Sequence, residues 1–111
     1  PPTTTPPPAG TRSCSATYSE AEKWNDRFNG RITIRNTGTT TITTWTSDLI
    51  VRYPQRIIAT WNGTPSWPDQ YRMVMRPAGN GTLAPGQTTS YGVTIQHGGN
   101  WTWPTVSCSA G

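Results

Sequence analysis

Trp24, Trp61 and Trp67 stand in polar, turn-rich surroundings: Lys23-Trp24-Asn25-Asp26-Arg27, Thr60-Trp61-Asn62-Gly63 and Ser66-Trp67-Pro68. The chain holds six tryptophans in 111 residues, but one lysine and one phenylalanine. A core this small absorbs about one or two indoles, so the others belong at the rim or surface, where large apolar rings are costly to leave wet. Flat, rigid, exposed rings suit a ligand with flat apolar faces and a polar edge. A pyranose is such a ligand, and so is a nucleobase.

Catalytic chemistry finds little to use. Glycoside hydrolysis usually needs two carboxylates held across a cleft, and the chain offers only Glu20, Glu22, Asp26, Asp48 and Asp69. His97 is the single histidine, without a Ser-His-Asp pattern and without the second histidine of an oxidative copper site. Cys14, Cys108 and His97 are too few to hold a metal. The expectation is a binding protein, not an enzyme, with no cofactor and no metal.

Nucleic acid is the weaker of the two ligand classes. The formal net charge of +4 comes from scattered residues, among them Arg12, Arg31, Arg35, Arg52, Arg56, Arg72 and Arg76. A nucleic-acid stripe would cluster them. No stretch approaches the roughly twenty apolar residues of a membrane span.

The elements that must position these rings are strands. Charged residues make up 13% of the chain, and Thr, Gly, Asn and Ser supply the polarity, which favours strands and turns. Period-two segments run over Cys14–Tyr18, Phe28–Arg35, Thr41–Tyr53, Arg56–Trp61, Gln70–Arg76, Thr88–Gln96 and Trp101–Cys108. Phe28, Ile32 and Ile34 share one face, as do Trp45, Leu49 and Val51, and Tyr91, Val93 and Ile95. Turn signals separate the segments at Asn36-Thr37-Gly38, Asn62-Gly63, Asn80-Gly81 and Gly98-Gly99-Asn100. Ser19–Trp24 is the one stretch with a helical look, and it is too short to matter. The pattern predicts an all-β antiparallel sandwich.

Cys14 and Cys108 lie near the two ends of this pattern and read as one disulfide joining the first and last strands. Such a bridge implies a secreted protein. Residues 1–10, PPTTTPPPAG, favour extended polyproline II and have nothing to bury. They read as an interdomain linker, with a module over residues 11–111 lying C-terminal to a partner domain.

An ordered set of short motifs carries a resemblance: Cys14-x-Ala-Thr-Tyr, Trp24-Asn-Asp-Arg-Phe28, Asn36-Thr-Gly38, Trp45-Thr, Ala59-Thr-Trp61-Asn62, Asn80-Gly-Thr-Leu-Ala-Pro-Gly86 and Trp101-Thr-Trp-Pro-Thr-Val-Ser-Cys108. Over residues 14–108 the chain resembles the family 2 carbohydrate-binding modules of secreted actinobacterial polysaccharide hydrolases. The resemblance implies a jelly-roll β-sandwich and surface tryptophans that stack on β-1,4-linked polysaccharide, and a monomer is expected. It also implies a covalently linked N-terminal catalytic domain.

The family has two branches, and marks of both are present. The cellulose-binding branch resembles a strip of three coplanar rings, at positions matching Trp24, Trp61 and Gly79, with Gly three residues after the first ring. The xylan-binding branch has Arg there, as Arg27 is here, and that Arg turns the first ring perpendicular to the second. Cellulose is a flat ribbon that suits coplanar rings. Xylan twists along its length and suits rings set at an angle. The resemblance therefore points to xylan, with cellulose or chitin as the alternative. Glu22, Asn29 and Asn62 match positions that hydrogen-bond sugar hydroxyls in the xylan branch, while Ile58 replaces a polar residue expected there.

Each residue also has a plainer role. Trp45 belongs to the core. Trp67, between Pro65 and Pro68, either pins its loop or makes an accessory contact. Trp101 and Trp103 are expected to pack against the disulfide end. Arg27 could pair with Asp26 or Glu22 at the surface.

Overall fold

In the computed structural model the described residues are 12–79 and 81–110; the segment read as a linker, residues 1–10, lies outside them. Alternating apolar and polar residues build eight strands: β1 (Cys14–Lys23), β2 (Arg27–Asn36), β3 (Trp45–Ile50), β4 (Arg56–Trp61), β5 (Thr64–Asp69), β6 (Arg72–Arg76), β7 (Thr88–Gln96) and β8 (Thr105–Ala110). They form two four-stranded sheets, β1-β2-β7-β4 and β5-β6-β3-β8, in which every pairing is antiparallel. The all-β antiparallel sandwich is as the sequence predicts.

The core lies between the sheets. Phe28, Ile32, Ile34, Tyr91, Val93 and Ile95 from one sheet meet Trp45, Leu49, Met73 and Met75 from the other, all buried. Val51, just past β3, is buried with them. Tyr91 stacks on Trp45 with centroids 6.0 Å apart and planes 13° from parallel. Its hydroxyl needs a partner at that depth, and Ser47 Oγ, reaching from the opposite sheet, lies 2.8 Å away.

Both pairs of sheet edges are tied. At one side the Cys14–Cys108 disulfide joins β1 to β8 across a separation of 94 residues. At the other side Asn62-Gly63 carries the chain from β4 into β5. Asn62 adopts φ 65° there, a left-handed conformation that asparagine accepts more readily than most residues.

Several elements differ from the expected bounds. β1 runs on through the stretch with a helical look, past a bulge between Glu20 and Lys23. β3 is shorter than Thr41–Tyr53, because Ile42 makes only an isolated bridge to Leu83. β5 is a strand despite Pro65 and Pro68; it lies at a sheet edge, where a missing N–H donor is tolerated. β8 begins at Thr105, so Trp101 and Trp103 precede it. They do not pack at the disulfide. Trp101 lies against His97 and Phe28, and Trp103 meets Tyr18 edge-on.

Candidate functional site

The outer face of the β1-β2-β7-β4 sheet gathers most of the expected site residues. Side chains alternate across a strand. Inward Phe28, Ile32 and Ile34 therefore leave Arg27, Asn29 and Arg31 outward on β2. Inward Tyr91, Val93 and Ile95 leave Ser90, Gly92 and Thr94 outward on β7. The register sets Asn29 opposite Thr94. Thr94 Oγ1 donates to Asn29 Oδ1 at 2.7 Å, which fixes both side chains mid-sheet.

One exposed indole stands at each side of this pair. Trp24 follows β1 in a tight turn whose N–H donates to the Arg27 carbonyl at 2.7 Å. Trp61 closes β4, directly opposite Gly92. Its ring lies across Gly92, where any Cβ would run into the indole. The two rings are 45% and 46% exposed. With β2 and β7 between them, β1 and β4 are roughly 14 Å apart at ordinary strand spacing.

Two shallow depressions join along this face. Trp24, Asp26, Arg27, Asn29 and Thr94 border one of about 510 Å³. Glu22, Asn29, Arg31, Trp61, Asn62 and Ser90 are among those bordering the next, of about 350 Å³. Asn29 borders both, so the surface from Trp24 to Trp61 is continuous.

Arg27 takes Asp26, not Glu22, as its partner. Nε donates to Oδ1 at 3.1 Å and Nη2 to Oδ2 at 2.9 Å. That two-pronged bond holds the Asp26 carboxyl below the usual carboxylate range and raises Arg27 in turn. At the surface such a pair adds little stability. It does fix the planar head of Arg27 in the depression that Trp24 also borders.

The remaining expected residues divide. Glu22 is exposed at the end of β1. Asn62 spends its amide on the fold, Nδ2 donating to the Ser90 carbonyl. Ile58 is exposed beside the bulge between Ile57 and Ala59. Trp67 lies apart on β5, in a depression of about 450 Å³ shared with Arg56, Ile57, Asp69 and Gln70. Gly79, at the position matching a third ring, faces open space. Thr94, Ser90 and Gly92 were not singled out from the sequence, although the alternation that turned Tyr91, Val93 and Ile95 inward implied them.

Comparison with known proteins agrees with this geometry. The family model CBM_2, described as cellulose binding domain, matches residues 14–111. The chain belongs to the family 2 carbohydrate-binding modules. These are non-catalytic binding domains found within larger glycosidases. The module is 34% identical over 104 residues to endoglucanase A of Thermobispora bispora, covering 94% of this chain and 22% of that enzyme. It thus spans about a fifth of that relative's length. The internal xylan binding domain from Cellulomonas fimi xylanase D is 31% identical, with a TM-score of 0.68 over 88% of this module and 98% of that domain. A chitin-binding domain from Streptomyces coelicolor is 28% identical, with a TM-score of 0.66 over 85% of this module and 90% of that domain.

Four of the five acidic side chains have separate tasks. Glu20 pairs with Lys23, Asp26 with Arg27 and Asp48 with Arg72, while Asp69 accepts the Tyr71 N–H. Among the described residues, no group of three or more His, Cys, Asp or Glu side chains converges as a metal site would require.

Proposed function

We propose that this module binds β-1,4-linked plant cell-wall polysaccharide, xylan first, by stacking sugar rings on Trp24 and Trp61. The observation that carries the reading is the pairing of two half-exposed indoles on one continuous sheet face, with Asn29 and Thr94 between them. Each ring covers the apolar C–H face of one pyranose. The hydroxyls at the sugar edges meet Asn29, Glu22 and the Oδ1 of Asn62, whose Nδ2 is committed to Ser90. A ring–sugar contact contributes about 1–3 kcal/mol, by analogy with base stacking and area burial. Two such contacts give micromolar or looser affinity once association costs are met.

Xylan is preferred over cellulose because Arg27 stands beside Trp24 where a coplanar strip would have Gly, and because Gly79 supplies no third ring. The likeness to a xylan binding domain at 31% identity supports this choice. A second reading, cellulose or chitin, is supported by the family's description and by the likeness to a chitin-binding domain. In either case the module is a monomer that holds an attached, secreted hydrolase on its substrate. Residues 1–10 are the linker to that N-terminal catalytic domain.

The test is binding to insoluble xylan, cellulose and chitin in parallel, at low and high salt. Saturable, nearly salt-independent binding, tightest on xylan, is expected. Steep loss with salt would favour a nucleic-acid ligand instead, and absence of binding to all three solids would overturn the proposal.

A further inference from the structure

A second pair of exposed indoles lies on the other side of β1. Lys23 pairs with inward-facing Phe28, whereas Trp24 shares a depression with outward Arg27, Asn29 and Thr94. The chain therefore presents Lys23 and Trp24 to opposite sides of the sheet edge. On the Lys23 side stand Trp101 and Trp103, 47% and 51% exposed, much as Trp24 and Trp61 are.

Both rings are held rather than loose. The buried Gln55 side chain donates from Nε2 to the carbonyls of Asn100 at 2.9 Å and Thr102 at 2.6 Å. These bonds pin the segment that carries Trp101 and Trp103. Trp101 rests on His97, with centroids 3.8 Å apart. Trp103 meets Tyr18 edge-on at 5.1 Å, and its Nε1 donates to Glu20 Oε2 at 3.2 Å. Between the rings runs an ion pair: Lys23 Nζ lies 3.3 Å from Glu20 Oε1 and 6.0 Å from the Trp101 ring centroid. The sequence of surfaces is ring, charged pair, ring. Two half-exposed rings with hydrogen-bonding groups between them suit a β-linked sugar chain, whose apolar faces alternate with hydroxyl edges.

We propose that Trp101 and Trp103, with Lys23 and Glu20, form a second polysaccharide site on this module, separate from the Trp24–Trp61 face. The inference rests on the carbohydrate-binding reading above. A ligand stacked on Trp24 and Trp61 occupies the outer sheet face; one on Trp101 and Trp103 occupies the far side of β1. One module can then hold two chains of its polysaccharide, tying neighbouring strands of the wall material together.

Indole N–H resonances of the intact chain test this directly, because each tryptophan reports separately. Xylohexaose, cellohexaose and chitin hexamer are titrated in turn. With at least one of them, the Trp101 and Trp103 signals shift saturably, and continue to do so in a Trp24→Ala/Trp61→Ala variant. Trp103→Ala weakens the second site at least about tenfold, from the loss of one stacking contact, and leaves the Trp24 and Trp61 shifts intact. Glu20→Gln, which keeps the shape and removes the charge, weakens the second site without moving the first, and guards against a Trp103 variant that fails to fold. If Trp24 and Trp61 shift while Trp101 and Trp103 stay silent, the second site is overturned and the first stands. If none of the four responds to any of the three sugars, both are overturned. Shifts at Trp101 and Trp103 that vanish in the Trp24→Ala/Trp61→Ala variant also overturn a separate second site.

Discussion

The indole of Trp61 lies across the backbone of Gly92, its direct neighbour on β7. The flat orientation of this ring is thus set by the residue beneath it, which has no side chain to lift it. Gly92→Val should tilt the ring off the sheet and lower polysaccharide affinity roughly tenfold, about the worth of one stacking contact. Binding isotherms for this variant beside wild type provide the check. Equal affinity would mean that ring orientation at Trp61 does not matter.

Arg27 governs selectivity in this account. Its guanidinium bridges Asp26 and stands in the depression that Trp24 borders. Arg27→Gly removes that neighbour and lets the Trp24 ring lie flat, so preference should move from xylan towards cellulose. The reading is the ratio of affinities, because loss of a charge can weaken both ligands alike. Depletion binding on xylan and crystalline cellulose supplies it. An unchanged ratio would sink the orientation mechanism.

Much of this architecture was legible from alternation alone. β4 and β7 have the bounds the sequence suggests, and the inward rows at Phe28, Trp45 and Tyr91 are buried as expected. β5 was not legible, because Pro65 and Pro68 signal a loop unless the strand is known to sit at an edge. Alternation implied that Gly92 faces outward, but its importance depends on the cross-strand register with Trp61, which no local pattern encodes. The position of Trp101 and Trp103 turned on Gln55, whose polar side chain is buried and pins their segment through contacts more than forty residues away in sequence, beyond the reach of any local pattern. The exposure of Trp24 and Trp61 was legible because both stand in polar, turn-rich contexts.

The disulfide should carry a large share of stability. It ties the outer strand of one sheet to the outer strand of the other, 94 residues away in sequence. The chain-entropy treatment gives about 4–5 kcal/mol for a loop of that length. Cys14→Ser should therefore lower unfolding free energy by a few kcal/mol in denaturant titration. A change below about 1 kcal/mol would show that the unfolded chain is little constrained by the bridge.

Alkaline pH should destabilise the module. Burial pushes the Tyr91 hydroxyl up to about 12, and burial raises Tyr18 as well. Below the unfolded value of 10.0, both states keep the Tyr91 proton and stability is unaffected. Between there and about 12, the unfolded chain loses the proton while the folded chain keeps it, so stability falls. The slope is about 1.4 kcal/mol per pH unit for one group, or about 3 kcal/mol across this window. Denaturation curves from about pH 9 to 12 should show the decline, and Tyr91→Phe should make it shallower, leaving the part that Tyr18 contributes. Constant stability across the range would contradict a buried, protonated Tyr91.

The central claim is that Trp24 and Trp61 are the surface on which polysaccharide is held. Depletion binding to insoluble xylan tests it most directly, with the Trp24→Ala/Trp61→Ala variant measured beside wild type and both melted thermally. The account predicts a loss in affinity of about tenfold or more for each ring removed, with little change in melting, because both rings are half-exposed. Undiminished binding by a folded variant would contradict the account.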